Sequence, residues 1–286
     1  YIHYQKTITT AFFKAFTPLS RSTPMRTVVH AMATSRSFVI AVTTLVMLLS
    51  STVSRADLTP ANCTIAQHEL LSAYHEFFNA PKDGQLKQKI AAKNSILAEC
   101  LKTISPRLTP EVAKELNDIQ AIMQTELKYN IETLERTGDT ERQPVDNMMN
   151  QSLASAKILG AQKDSNNPTV DALRKQAVMM AYIKNRYLER VYSLGGVGLL
   201  RESSLELPIE GLVLEFSKKM DVLRKDKTLI AKTELYKKLN TVHVRFNFLQ
   251  KSMMDYNKTA VPFVVVHHSA FIIKTLLDIS NELEQK

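Results

Sequence analysis

The stretch LYKKLNTVHVRFNFLQKSMMDY, residues 235–256, sets Leu235, Leu239, Val242, Phe246, Leu249, Met253 and Tyr256 at successive steps of 4, 3, 4, 3, 4 and 3. Only an α-helix brings side chains with that spacing into one stripe. Lys237, Lys238, Asn240, Arg245, Asn247, Gln250, Lys251 and Asp255 lie between them and supply a polar outer face. A long helix with so narrow an apolar stripe needs other helices against it. The stretch therefore predicts a helical bundle, and it predicts no reaction.

Downstream, residues 259 to near the end carry Phe271, Ile272, Leu276, Ile279 and Leu283 and read as the last helix. Its start, AVPFVVV at 260–266, is β-branched enough for a buried strand. No partner strand exists elsewhere and a lone strand is not stable, so the stretch is assigned to the helix with Pro262 in its first turn. Upstream, Pro208 opens a helix to about residue 227, and a helix over 168–194 stops at Gly195-Gly196, before a loop at 197–207. QKDSNNP, residues 162–168, is polar and turn-forming and marks a boundary. Before it lie helices over 64–79, 85–101, 110–136 and from Pro144 to 160; Thr109-Pro110 is a cap followed by a first-turn proline. The predicted fold class is all-α: an elongated antiparallel bundle of two four-helix halves in tandem, 57–162 and 168–286. KELNDI at 114–119 resembles KKLNTV at 237–242, an offset of 123 that fits a divergent repeat.

Residues 1–31 have no acidic residue and no hydrophobic period, and read as sequence upstream of the native start at Met25 or Met32. Arg36, a 12-residue apolar run from Phe38 to Leu49, and the small residues Ser54 and Ala56 then follow in the order of a secretory signal peptide, 32–56. The run is short for a span of ~20 residues, so cleavage after Ala56 is expected, with membrane attachment only where cleavage fails. The expected location is the periplasm. The chain's net charge of +9 rests on 37 Lys and Arg against 28 Asp and Glu, and six of those basic residues lie before residue 57 with no acidic one. The remainder is close to balanced, which argues against a nucleic-acid partner.

Cys63 and Cys100 are the two cysteines. Their midpoint, 81.5, falls in the turn APKDG at 80–84. In an antiparallel hairpin, residues equidistant from the turn lie level, so the two are expected to form a disulfide in an oxidising compartment.

Few residues suggest chemistry. His267 and His268 point about 100° apart on a helix, and His68 and His75 lie ~10.5 Å apart along theirs, so neither pair makes a metal site. No nucleophile elbow, phosphate loop or zinc-protease motif occurs, and no enzyme activity and no cofactor are expected. Arg186 and Arg190 share a face at i,i+4 and could clamp a small anion; the other reading is a solvated face partly neutralised by Glu189 and Glu202.

The helix LRKQAVMMAYIKN, residues 173–185, resembles the RQRMLSQR helix of the type IV pilus chemoreceptor-type (PilJ-like) sensor domain. Gln176 matches and Met179 and Met180 sit near the family's methionine, whereas Lys175, Ala177 and Ala181 stand where the family has its paired arginines and serine. Phe216 and Leu223 fit the family's following helix. The resemblance covers 168–283 and, as a divergent repeat, 63–160. It implies an extracytoplasmic helical bundle that senses a small molecule or ion, here free-standing. The expected partners are an unknown small ligand or an envelope protein, with a homodimer as one assembly. Gln176, Arg186 and Arg190 are the candidate ligand contacts. The alternative function is a structural or assembly protein of the envelope acting through helix–helix contacts.

Overall fold

The computed structural model describes residues 58–139, 141–193, 208–256 and 260–285. The upstream segment, the signal-peptide reading, Gly195-Gly196 and Glu202 lie outside the described residues. Those described form nine α-helices: α1 (Pro60–Asn79), α2 (Gly84–Ile104), α3 (Pro110–Thr137), α4 (Arg142–Gly160), α5 (Pro168–Ser193), α6 (Ile209–Leu223), α7 (Lys227–Ile230), α8 (Thr233–Met254) and α9 (Pro262–Glu284). Extensive antiparallel helix–helix packing joins them, and the protein is all-α.

The helix ends follow local chemistry. α1 starts four residues before the predicted position. Thr59 Oγ1 accepts from the Asn62 amide while Asn62 Oδ1 accepts from the Thr59 amide at 3.1 Å, a reciprocal cap that pulls Pro60 into the first turn. Asp83 caps α2 through the Gln85 amide at 2.8 Å. α3 begins on the Thr109 cap and ends at Gly138, whose φ of 74° lets its amide donate back to the Leu134 carbonyl at 2.9 Å. α6 stops at Leu223, short of the predicted 227. Asp226 there accepts from the Thr228 amide at 2.7 Å and caps the short α7 instead. The AVPFVVV stretch is helical from Pro262, as the absence of a partner strand required.

Leu235, Leu239, Val242, Phe246, Leu249 and Met253 are all buried along α8, with Tyr256 packed at the edge. The Phe216 ring of α6 meets Phe246 at 4.2 Å between centroids. Each such side chain contributes about 1.5–3 kcal/mol by leaving water. α5 to α9 share this apolar cluster, and α1 to α4 share a second. Paired contacts run in opposite senses along neighbouring helices: Glu126–Asn147 and Tyr129–Glu141 for α3 with α4, Arg174–Glu284 and Tyr187–Val261 for α5 with α9, and Phe216–Phe246 and Arg224–Asn240 for α6 with α8. Positions 123 residues apart in α3 and α8 share their burial: Leu116 with Leu239, Ile119 with Val242, Met123 with Phe246.

Cys63 and Cys100 form a disulfide with their Cα atoms 5.4 Å apart, level across the α1–α2 hairpin. The crosslink closes a loop of about 38 residues, for which chain entropy gives roughly 3–4 kcal/mol. Reduction is expected to lower the melting temperature while leaving the helical circular dichroism of the folded protein intact. Two maleimide-reactive thiols in denatured, unreduced protein would show that the bridge does not form in the cell.

Candidate functional site

The two most enclosed helices are α1 and α5, and they lie side by side. Contacts climb both in the same direction: Ala61 with Asp164 just ahead of α5, His68 with Tyr182, Glu69 with Lys184. The helices are therefore parallel, unlike the hairpin pairs around them. α1 buries residues on every side, including Thr64, Gln67, His68, Ser72 and His75. α5 likewise buries Arg174, Gln176, Lys184, Asn185, Arg186 and Arg190. The seam between α1 and α5 is thus polar in the interior of the protein.

Its centre is an ion-pair cluster. The Lys184 side chain, 2% exposed, pairs with Glu69, which also takes Lys93 of α2 at 3.3 Å. Two turns further along α1, Glu76 pairs with Lys89 of α2. Burial pushes the Glu69 carboxyl up, but the Lys184 and Lys93 ammonium groups outweigh it and hold it below the ordinary carboxylate range. Burial pushes the Lys184 ammonium down from its ordinary range, and Glu69 opposes that shift by favouring the charged form.

Two histidines flank this cluster. His68 packs at a tilt against the Tyr182 ring, 5.2 Å between centroids, and His75 lies edge-on to Tyr74. Burial first, and Lys184 second, push the His68 imidazole down to about 4; burial and Arg186 push His75 down to about 3. Both rings are neutral at pH 7. His68 Nδ1, His75 Nε2, Gln67 Oε1 and Asn185 Oδ1 are buried without a hydrogen-bond partner among the described residues. Gln67 uses its amide nitrogen to donate to Ser152 Oγ of α4 at 2.7 Å.

The expected ligand contacts fall in two places on α5. Arg186 and Arg190 are one turn apart and 8% and 7% exposed, so they do not form a solvated face. Arg186 donates to Glu189. Gln176 lies ten positions earlier, ~15 Å along the axis, and donates to the Phe216 carbonyl at 3.1 Å on the α6 side. Its Oε1 is buried without a partner among the described residues. Sequence reasoning placed Lys184 and Glu69 in no site. The available signal was that α1 carries polar or charged residues at Gln67, His68, Glu69, Ser72, His75 and Glu76, more than one solvated stripe of a helix accounts for.

A second concavity lies between α2 and α3, with a volume of about 260 Å³. Ile90, Ala91, Leu127 and Ile131 line it, and the reciprocal amide pair Asn94–Gln124 and the ion pair Lys87–Glu135 bracket it. Among the described residues no three His, Cys, Asp or Glu side chains converge on a point where they could hold a metal ion. No family model, no curated protein and no solved structure matches the chain.

Proposed function

We propose that the chain is an exported, sensor-like protein of the periplasm, built from two PilJ-like four-helix halves, that binds a small molecule, ion or protein partner and catalyses no reaction. The observation that carries this reading is the polar α1–α5 seam. Buried ion pairs contribute little over a well-packed apolar interface of the same size, so a seam of this kind is not needed for stability. Orphaned acceptors beside buried cations suit an interface whose packing responds to what binds. The shared burial of three pairs of positions in α3 and α8 at an offset of 123 supports the two-half architecture, with α1 and α5 as corresponding first helices facing each other.

A thermal-shift screen of small anions, amino acids and nucleotides tests it, because a ligand that binds only the native state raises apparent stability by ~2.7 kcal/mol at a hundred times its Kd. The double variant R186Q/R190Q adds a second arm. Its baseline melting temperature is expected to drop, since Glu189 loses its buried partner, and any anion-induced increment should vanish. An increment that survives the double change removes Arg186 and Arg190 from the site. The α2–α3 groove favours the second reading, an envelope assembly protein acting through helix–helix contacts. A screen with no stabilising compound, together with a melting temperature that rises with protein concentration, would replace the first reading by that one.

A further inference from the structure

Helix α9 is the one helix among the described residues long and apolar enough to cross a membrane by length and composition, yet only 44% of its most apolar stretch is buried in the protein. The part left uncovered is concentrated where α9 begins and α8 ends. Phe263 is 82% exposed, Phe248 63% and Val244 66%. They form one continuous patch. Phe248 meets His268 edge-on at 5.3 Å, His268 touches His267 at 5.3 Å, and His267 stacks on Phe263. Arg245, one position from Val244, lies 3.6 Å over the Phe271 ring, and Lys251 is exposed one turn beyond Phe248.

The charge around this patch has one sign. Residues 241–277 contain four Lys and Arg, three His and a single acidic residue, Asp255. The first turn of α9 has no acidic residue, so the positive end of the helix dipole adds to the same field. A second copy of the chain would set this basic rim against itself, and like charges across an interface oppose association. Three protruding side chains present on the order of 400 Å² of apolar surface, about half of one side of a standard protein interface. Aromatic side chains that stand proud of a basic rim suit a surface that yields to them and carries negative charge.

We propose that the α8–α9 end docks on an anionic lipid bilayer, with Phe263 and Phe248 entering the headgroup–acyl boundary and Arg245 and Lys251 held at the phosphate level. Insertion of the rings supplies the apolar part of the binding and the cations select anionic lipid. The packing of α9 against α5 and α8 stays intact, so the helix lies against the bilayer by its first turns and does not cross it.

The chain has no tryptophan, which makes F263W a direct reporter in the full-length protein. Its emission is read on titration with vesicles of phosphatidylcholine alone and of phosphatidylcholine with phosphatidylglycerol, each also prepared with brominated acyl chains. The expected outcome is a blue shift and bromolipid quenching with the anionic vesicles, reversed by high salt, and neither effect with phosphatidylcholine alone. Adding R245Q and K251Q should raise the lipid needed for half the shift by roughly 30-fold, about fivefold for each basic residue near the surface. Because the apolar run at 38–49 is common to all variants, attachment through it would leave the emission at position 263 unmoved. An unmoved emission on vesicle-bound protein overturns the proposal. So does a blue shift that follows protein concentration without lipid, which would assign the patch to a second copy. A shift produced by a lipid-free acidic protein and not by vesicles would assign it to a protein partner and overturn it equally.

Discussion

Between pH 6.5 and pH 4.5 the protein is expected to lose on the order of 5 kcal/mol of stability, most of it through His68 and His75. Both imidazoles are held neutral inside the fold, down to about 4 and about 3. In the unfolded chain each takes a proton near pH 6.5. Below that pH the unfolded state therefore binds protons the native state cannot, and stability falls as pH falls. The slope is about 1.4 kcal/mol per pH unit for each histidine, and it ends where the folded rings finally protonate. Above pH 6.5 neither state binds these protons and the effect is absent.

A typical domain has only about 5–15 kcal/mol to lose, so this change should bring acid unfolding within reach near pH 4.5. The groups facing the rings make protonation of the folded form costly. His68 faces Lys184 and Tyr182, with Glu69 as the one opposing carboxylate, and His75 faces Arg186. Urea midpoints measured from pH 7.5 to 4.5 would test this with H68F/H75F beside the parent. The variant's stability should be nearly flat over the range in which the parent's declines. Parallel curves for the two proteins would show that other groups carry the acid response.

Removal of the Glu69 carboxylate by E69Q is expected to cost about 3–5 kcal/mol, because it strands the Lys184 ammonium in the seam. Removal of Lys184 by K184M should cost less. Glu69 then keeps Lys93 at 3.3 Å, and its side chain is partly open to solvent. The double variant E69Q/K184M should recover most of the E69Q loss, since it removes both charges of this pair and a methionine fills the space of the lysine stem. Denaturation of all four proteins gives the coupling free energy directly. A loss in the double variant equal to the sum of the two single losses would mean that the pair is not coupled and the seam is held by something else.

The helical character was open to reading because its cause is local. The step pattern at 235–256 requires one stripe on one helix, and that stripe is what is buried in α8. Thr109-Pro110 marks the start of α3 through a cap and a proline that needs no amide partner. The disulfide was legible for the same reason: a turn at 80–84 sets two cysteines level, and the hairpin geometry follows from chain distance alone. The start of α1 was misplaced because its cap depends on two side chains, Thr59 and Asn62, bonding each other, which a scan for apolar spacing does not register.

The candidate site was less legible because it is made between segments. Local pattern places Lys184, Arg186 and Arg190 among the polar positions of an amphipathic helix, and long charged side chains normally reach water. Burial of a lysine is tolerated only where a counter-charge meets it, and the counter-charge here is 115 residues away on α1. Neither helix reveals the other's position. The amino-acid order settled which long segments are helical and which two cysteines join, with the start of α1 and the end of α6 each displaced by four residues. The parallel approach of α1 and α5 decided that charged and imidazole side chains lie inside, because only non-local packing can remove a charge from water and supply the partner that makes its removal bearable.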